Sequence, residues 1–543
     1  MKIVTAAEMR QIDRLTTEKH GVPSLQLMEN AGTAVADFAR KHFDFNSVCV
    51  VSGKGNNGGD GFVAARKLKE AGKQVRVIAL AGGGDELRGD AAEMLRKLAV
   101  QPLWVAEEAG LNQTDVKEAL GAELIVDAIL GTGFKPPIQG IPAKAVEAIN
   151  RLKAPVVAVD VPSGMDADAT KPIESDMKIA RADAVITFTA PKPAHVFEPI
   201  ASGPIAVAEI GSPPSLVKES AKFPGQVMSI RELGAHFPPR RANANKGNFG
   251  HVLVIGGSVG KAGAAAMAGM AALKTGAGLV TVACPRSVQP TVASFAAELM
   301  TEALPETAEG TISEAAVTRL EELTEGKQCL AIGPGLSRNP ETERLVRRLV
   351  GSTRVPVVLD ADGLNAYAGH IGELSGALVA QGSQRTLVLT PHPGEMSRLM
   401  GGVEISEVER DRLKTALDYA REHRVILVLK GHRTVIASPQ GELFINVTGN
   451  PGMAKGGSGD VLTGIAAGLI VQHSKLLDRQ TAKLEIALPL VAGAVCLHGL
   501  AGNLSRDLHG EYSMTATEII ESVPDAIRVA QENTSSEFAY LLR

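Results

Sequence analysis

The chain has 543 residues, a formal net charge of −4 and 45% apolar residues, which fits a soluble globular enzyme with more than one core and leaves no basic surplus for nucleic acid or an anionic membrane. Aromatics make up only 3% and Trp104 is the sole tryptophan, which argues against a base-stacking surface. Cys49, Cys284, Cys329 and Cys496 lie far apart in apolar runs with no CxxC pair, so neither a disulfide framework nor a zinc site is supported and buried thiols are expected.

Charge enters the N-terminus too early for a signal peptide, and the apolar C-terminal stretches are broken by glycines, Pro489 and His498. A cytoplasmic protein without a membrane span is expected. From Thr5 the spacing predicts a helix: Thr5 can cap it, Glu8 stands three residues on, and Met9, Ile12 and Leu15 recur at helical intervals. His20-Gly-Val-Pro23 interrupts it, and a second helix is expected from Ser24 to Arg40. Val48-Cys-Val-Val-Ser52 reads as a buried strand, residues 53–61 as a glycine loop and Phe62 to Ala71 as a helix, the arrangement in which nucleotides meet backbone amides. Further strands are expected at 74–81, 124–129, 156–161, 184–189 and 205–210, so the sheet should be parallel and doubly wound. Asp127, Asp160, Ser163 and Lys192 stand where these strands end, and Asn57 sits in the glycine loop. The ligand crevice of an open α/β sheet lies outside the carboxyl ends of its strands, so the five are expected to converge there. Singly, each could equally be a helix cap or a turn former.

Between Gly211 and Gly250 the alternation lapses and prolines recur at 213, 214, 224, 238 and 239. A boundary near residue 222 is expected, with a first domain over 1–215, a linker over 216–225 and a second domain over 226–540. Arg240, Arg241 and Lys246 read either as a solvated rim or as phosphate contacts. Beyond them, strands are expected at 251–255, 279–283, 329–332, 355–359, 386–389, 425–429 and 442–446, with a glycine- and alanine-rich helix from Ala262 to Thr275. Polar residues again mark the strand exits: Asp360, Asp362, Asn365, His392, Glu395 and Lys430. Asp360 and Asp362, two apart on one strand face, could share a magnesium ion or position a hydroxyl. His392, between prolines, could equally be a turn residue.

Residues 450–464 then supply Gly456, Gly457 and Gly459 ahead of an apolar run that begins at Val461. Successive amides at such a helix N-terminus make a seat for an anion. Asp460 at its mouth is suited to take a proton from a hydroxyl that attacks a phosphoryl group, so phosphoryl transfer is the first expectation.

Asn56-Asn-Gly-Gly-Asp-Gly61, Asp127-Ala-Ile-Leu-Gly-Thr-Gly133 and Asp160-Val-Pro-Ser-Gly164 resemble the signatures of the YjeF N-terminal domain, the NAD(P)H-hydrate epimerase family. That resemblance implies that Asn56, Asn57, Gly58, Gly59, Asp60, Gly131, Thr132, Gly133 and Phe134 bind the hydrated nucleotide. It further implies that Asn57, Asp127 and Ser163 hold potassium, and that Asp160 and Lys192 act as acid and base. Gly256-Gly-Ser258, Gly263-Ala264, Gly333-Pro-Gly335, Thr390-Pro-His-Pro-Gly-Glu395, Lys430-Gly431 and Gly457-Ser-Gly-Asp-Val-Leu462 resemble the YjeF C-terminal domain, the ADP-dependent NAD(P)H-hydrate dehydratases. The implied roles are Ala264, Gly335, His392 and Asp460 on the hydrate, and Lys430, Gly431, His432, Arg433, Thr434 and Gly459 on the adenine nucleotide. The resemblance thus implies a Rossmann-like α/β sheet followed by a ribokinase-like α/β/α domain. It also implies NADHX, NADPHX and Mg²⁺–ADP as small-molecule partners, and a homo-oligomer. The alternatives are a vitamin-type small-molecule kinase fused to a nucleotide-binding module, and a first domain that senses a nucleotide without chemistry.

Overall fold

The computed structural model describes residues 1–170, 177–374, 385–479 and 483–541, the side chains of 478, 479 and 483–485 aside. The chain forms two compact units, Met1–Ser229 together with the C-terminal segment from Ser536, and Ile230–Ser535. The expected linker over 216–225 belongs to the first unit: helix Pro214–Ser220 precedes Lys222, whose amide donates to Glu8 Oε1 (2.6 Å).

The sheet of the first unit runs in space as Leu103–Trp104, Gln74–Ala79, Ser47–Ser52, Leu124–Ala128, Val156–Val159, Ala184–Phe188, Ile205–Ala208 and Ala539–Leu541. All neighbours are parallel except the last pair. The central strands read as unbroken apolar runs because helices cover both faces. Strand order reverses between Ser47–Ser52 and Leu124–Ala128, and at such a switch point the loops part to leave a crevice. One loop is shorter than expected. Helix Asn56–Glu70 starts inside the glycine stretch, since Gly58 and Gly59 pack where a side chain would strike Gly53 O (2.0 Å) or Met28 Sδ (2.6 Å).

In the second unit the order is Met300–Leu304, Leu279–Pro285, His251–Ile255, Cys329–Ile332, Val357–Leu359, Leu387–Leu389, Ile426–Leu429, Val435–Ala437 and Leu443–Ile445, parallel as far as Ile426–Leu429 and antiparallel beyond it. The reversal falls between His251–Ile255 and Cys329–Ile332, which puts the loops 256–261 and 333–337 at its mouth. Helices Ala262–Thr275 and Ser458–Gln472 cross at near backbone contact: a Cβ at Gly464 would lie 2.1 Å from Ala268 O and one at Gly468 2.8 Å from Ala272 O. Both registers ascend together, so the helices are parallel and one turn back from Gly464 and Ala268 stand Asp460 and Ala264, at the same end. Helix Ile486–His509 is long and apolar enough to cross a membrane, but 89% of its most apolar window is buried inside the protein. All four cysteines are buried and unpaired.

Candidate functional site

The crevice of the first unit is a cleft of about 880 Å³. Asn56, Asn57, Asp60, Gly131, Thr132, Gly133, Phe134, Asp160 and Lys192 line it, whereas Gly58 and Gly59 are turned into the packing beneath. Asp160 leaves the sheet with φ +66°, a left-handed conformation that an Asp adopts at some cost and that re-aims its carboxylate. Its Oδ1 accepts from Thr187 Oγ1 (2.8 Å) and pairs with Lys192 Nζ (2.9 Å), while Oδ2 accepts from the Thr132 amide (3.2 Å). Burial opposes the charge, but Lys192 holds the carboxyl down at about 2. His195 is the neutral positioner of this pair: its Nδ1 accepts from the Lys192 amide (2.9 Å), so Nε2 carries the proton and donates to Asp160 O (2.7 Å).

Asp127 lies below the cleft floor, fully buried. Its Oδ1 accepts from Ser163 Oγ (2.6 Å) and the Ile129 amide (3.3 Å), and Oδ2 accepts from the Ser163 amide (2.8 Å). Burial pushes its carboxyl above the ordinary value, and among the described residues no Lys, Arg or His pairs with it. A buried carboxylate without a cationic side chain, beside a hydroxyl oxygen, is a donor set that suits a hard monovalent cation. The Asn57 side chain lies against Gly131, and its Nδ2 is buried without a partner.

In the second unit Asp460 sits in the first turn of helix Ser458–Gln472, which begins three residues earlier than the apolar run suggested. Gly457 turns the chain into it with φ +94°, and no side chain caps the first amides, so the anion seat is open. Lys430 Nζ bonds Asp360 Oδ1 (2.7 Å) and lies 3.7 Å from Glu395 Oε2, and Thr463 Oγ1 donates to Asp360 Oδ2 (2.7 Å). A Cβ on Gly459 would lie 3.4 Å from Lys430 Nζ, so the turn 430–434 and the helix start form one cluster. Burial, then the charge of Asp360, raise the Asp460 carboxyl to about 7, with Lys430 opposing. Gly335 (φ +68°) approaches Lys261 O and the Ala264 Cβ, which joins the two loops at the switch point.

Three expectations change here. Asp360 and Asp362 share no strand face: Asp360 ends the strand as a helix N-cap position, and Asp362 on the helix accepts instead from the Ser337 amide (2.8 Å) and Asn365 Nδ2 (3.2 Å). The Asp-x-Asp spacing misled because the strand stops at Leu359. His392 is a helix cap, its Nδ1 accepting from the amides of Gly394 (3.0 Å) and Glu395 (3.4 Å), with Nε2 3.4 Å from Glu395 Oε1. Arg240 is committed to Gly276 O (2.7 Å) and stacks 3.7 Å over the Phe249 ring. Lys455, three residues ahead of helix Ser458–Gln472, donates to Tyr512 O (2.6 Å) and Met514 O (2.7 Å). Turn 430–434 is a hairpin between antiparallel strands, in which Gly431 (φ +144°) lies against Arg412, and Arg433 Nη1 donates to Val447 O (3.1 Å). His432 and Thr434 belong to the same turn, Thr434 Oγ1 donating to Gly431 O (3.0 Å). The sequence reading missed Asp13, which lines the first cleft; its helical spacing from Met9 was legible, its destination was not.

The family described as NAD(P)H-hydrate dehydratase matches residues 252–525, half of the chain, and that described as YjeF-related protein N-terminus matches residues 24–194. The bifunctional NAD(P)H-hydrate repair enzyme Nnr of Moorella thermoacetica is 43% identical over 99% of this chain and 98% of its own. The chain belongs to this family. Its Escherichia coli K12 counterpart is 32% identical over 95% of this chain and 92% of its own. The crystal structure of ADP/ATP-dependent NAD(P)H-hydrate dehydratase from Bacillus subtilis, co-crystallised with ATP and Mg²⁺, is 29% identical, with a TM-score of 0.46 over 56% of this chain and 98% of that one. As a family member the protein is a two-domain enzyme of nicotinamide nucleotide repair, with a nucleotide-dependent dehydratase.

Proposed function

We propose that the first unit interconverts the R and S hydrates of NADH and NADPH at C6, and that the second dehydrates the S form at the expense of ADP. A hydroxyl is a poor leaving group. Transfer of the β-phosphoryl of ADP onto it gives AMP and a phosphate ester; the ring nitrogen then expels phosphate from C6, and loss of a proton from C5 restores the C5=C6 bond of NAD(P)H. Asp460 takes the hydroxyl proton, and the amides that open helix Ser458–Gln472 neutralise charge on the phosphoryl group. Lys430 through Thr434 and Gly459 hold the adenine nucleotide, while Ala264, Gly335 and His392 seat the hydrate. A carboxyl raised to about 7 at an uncapped helix N-terminus carries this reading. Mg²⁺ enters with the nucleotide phosphates; among the described residues no cluster of three His, Cys, Asp or Glu forms a dedicated cage for it.

In the first unit Asp160 and Lys192 stand at the nicotinamide as the acid/base pair of residues, Lys192 holding Asp160 ionised (2.9 Å), and Asn57, Asp127 and Ser163 would hold K⁺. Held there, potassium would supply the positive charge that the buried Asp127 lacks; the Ser163 hydroxyl, which accepts from the Leu130 amide (2.9 Å), ties these residues to the 130–133 loop. A vitamin-type kinase is not favoured, because the family described as NAD(P)H-hydrate dehydratase matches residues 252–525, most of the second unit. Incubating the full chain with hydrated NADH, Mg²⁺ and ADP should restore NADH absorbance and release AMP and phosphate. No recovery with either ADP or ATP removes the dehydratase reading.

A further inference from the structure

We propose that Asp13, on the N-terminal helix Ala6–His20, is a catalytic acid of the epimerisation and works with Asp160 as its complementary base, an assignment that rests on the epimerase reading of the first unit. Asp13 reaches the cleft from a helix and Asp160 from the end of a strand, so the two carboxyls approach the ligand from different layers of the fold.

Three observations carry it. Asp13 Oδ1 is sealed from solvent and has no hydrogen-bond partner, an acceptor left over by the fold inside a ligand cleft. Among the described residues its carboxyl makes no ion pair and no side-chain hydrogen bond, and it caps nothing: Thr5 and Glu8 cap its helix at one end and Gly21 closes the other. The charged groups that face it are Asp160 and Lys192, which follow two sheet strands, and Asp60 from helix Asn56–Glu70; Arg10 of its own helix also lines the cleft. Burial foremost, opposed by Lys192 and aided by Asp160, raises the Asp13 carboxyl to about 6, while Asp160 stays ionised. One proton donor and one acceptor thus share the cleft, which is the pairing that inversion at a carbon bearing a hydroxyl requires.

The step balances without a co-reactant other than water. Asp13 gives its proton to the C6 hydroxyl as the C6–O bond breaks, the lone pair of the ring nitrogen forms the C6=N bond, and water departs. Water then adds to the opposite face of C6, the C6=N electron pair returns to nitrogen, and Asp160 takes the proton that the added oxygen sheds. The return reaction restores both carboxyls.

The test measures interconversion of separated R and S hydrates by the full chain without ADP. Asp13→Asn should slow it by roughly 10²–10⁴-fold, with ADP-dependent loss of the S epimer unchanged. In the parent chain the rate should fall about tenfold per unit as pH rises beyond about 6, where Asp13 gives up its proton, and D13N should lack that limb. A D13N rate within about threefold of the parent's, or a parent rate flat from about pH 5 to 8, overturns the role; the second measurement needs no variant. A parent chain that dehydrates the S form yet interconverts no epimers overturns the epimerase reading itself.

Discussion

At the scale of single residues, the same burial that suits Asp460 to the proposed role of base costs the protein stability. An unfolded aspartate ionises near 3.9, whereas the folded Asp460 does so at about 7. Between those values the folded state holds a proton that the unfolded state has lost, so this group lowers stability as pH rises from about 4 to about 7. Asp460→Asn removes the penalty. It should melt higher than the parent at pH 8 and alike at pH 4 in calorimetry, while ADP-dependent dehydration falls by at least about 10²-fold. The parent's dehydration rate should climb with pH through about 7 and then level. Equal melting at pH 8 would refute the burial argument. Asp160 is the opposite case: Lys192 at 2.9 Å keeps it charged at every physiological pH, at the cost of a left-handed backbone.

At the scale of elements, the dehydratase site depends on two helices of small residues lying close enough to align their N-termini. Gly464 and Gly468 permit that approach against Ala268 and Ala272. Gly464→Val puts a branched side chain where even a Cβ would sit 2.1 Å from Ala268 O. Separation of the helices should cost about 1–3 kcal/mol, read by chemical denaturation of the second unit, and should lower dehydration while epimerisation persists. The first unit shows the same principle at helix Asn56–Glu70, where Gly58 and Gly59 serve packing and Asn56, Asn57 and Asp60 face the cleft. A glycine-rich motif therefore divides into residues that line the cleft and residues whose packing lets that backbone be there.

At the scale of the molecule, the chain returns to its beginning. Strand Ala539–Leu541 adds antiparallel to Ile205–Ala208, and Phe538, 2% exposed, meets Phe38 edge-on at 5.8 Å. Truncation after Ser535 removes a buried aromatic and opens a sheet edge, a loss of about 3–5 kcal/mol. Epimerisation should become heat-labile in the truncated chain while ADP-dependent dehydration keeps the parent's stability; equal lability of both activities would contradict the assignment of the tail to the first unit.

Local chemistry alone made much of this legible. The apolar runs named most strands, the glycine stretches named the loops that lead into helices Asn56–Glu70 and Ser458–Gln472 and with the second of them Asp460, and carboxylates at strand ends named Asp127 and Asp160, because those signals depend on neighbours within a few residues. The strands Leu103–Trp104, Met300–Leu304 and Ala539–Leu541 carried no such signal, being short pieces held by pairing with distant partners. Asp13 looked like one more polar residue on an amphipathic helix, the partners of Asp360 (Lys430 and Thr463) lie far along the chain, and the capping bonds of His392 left its turn and binding readings alike open. Burial and charge neighbours come from elements hundreds of residues apart in places, so only the tertiary structure decided which carboxyls are raised by burial, as at Asp13 and Asp460, and which is held ionised by a lysine, as at Asp160.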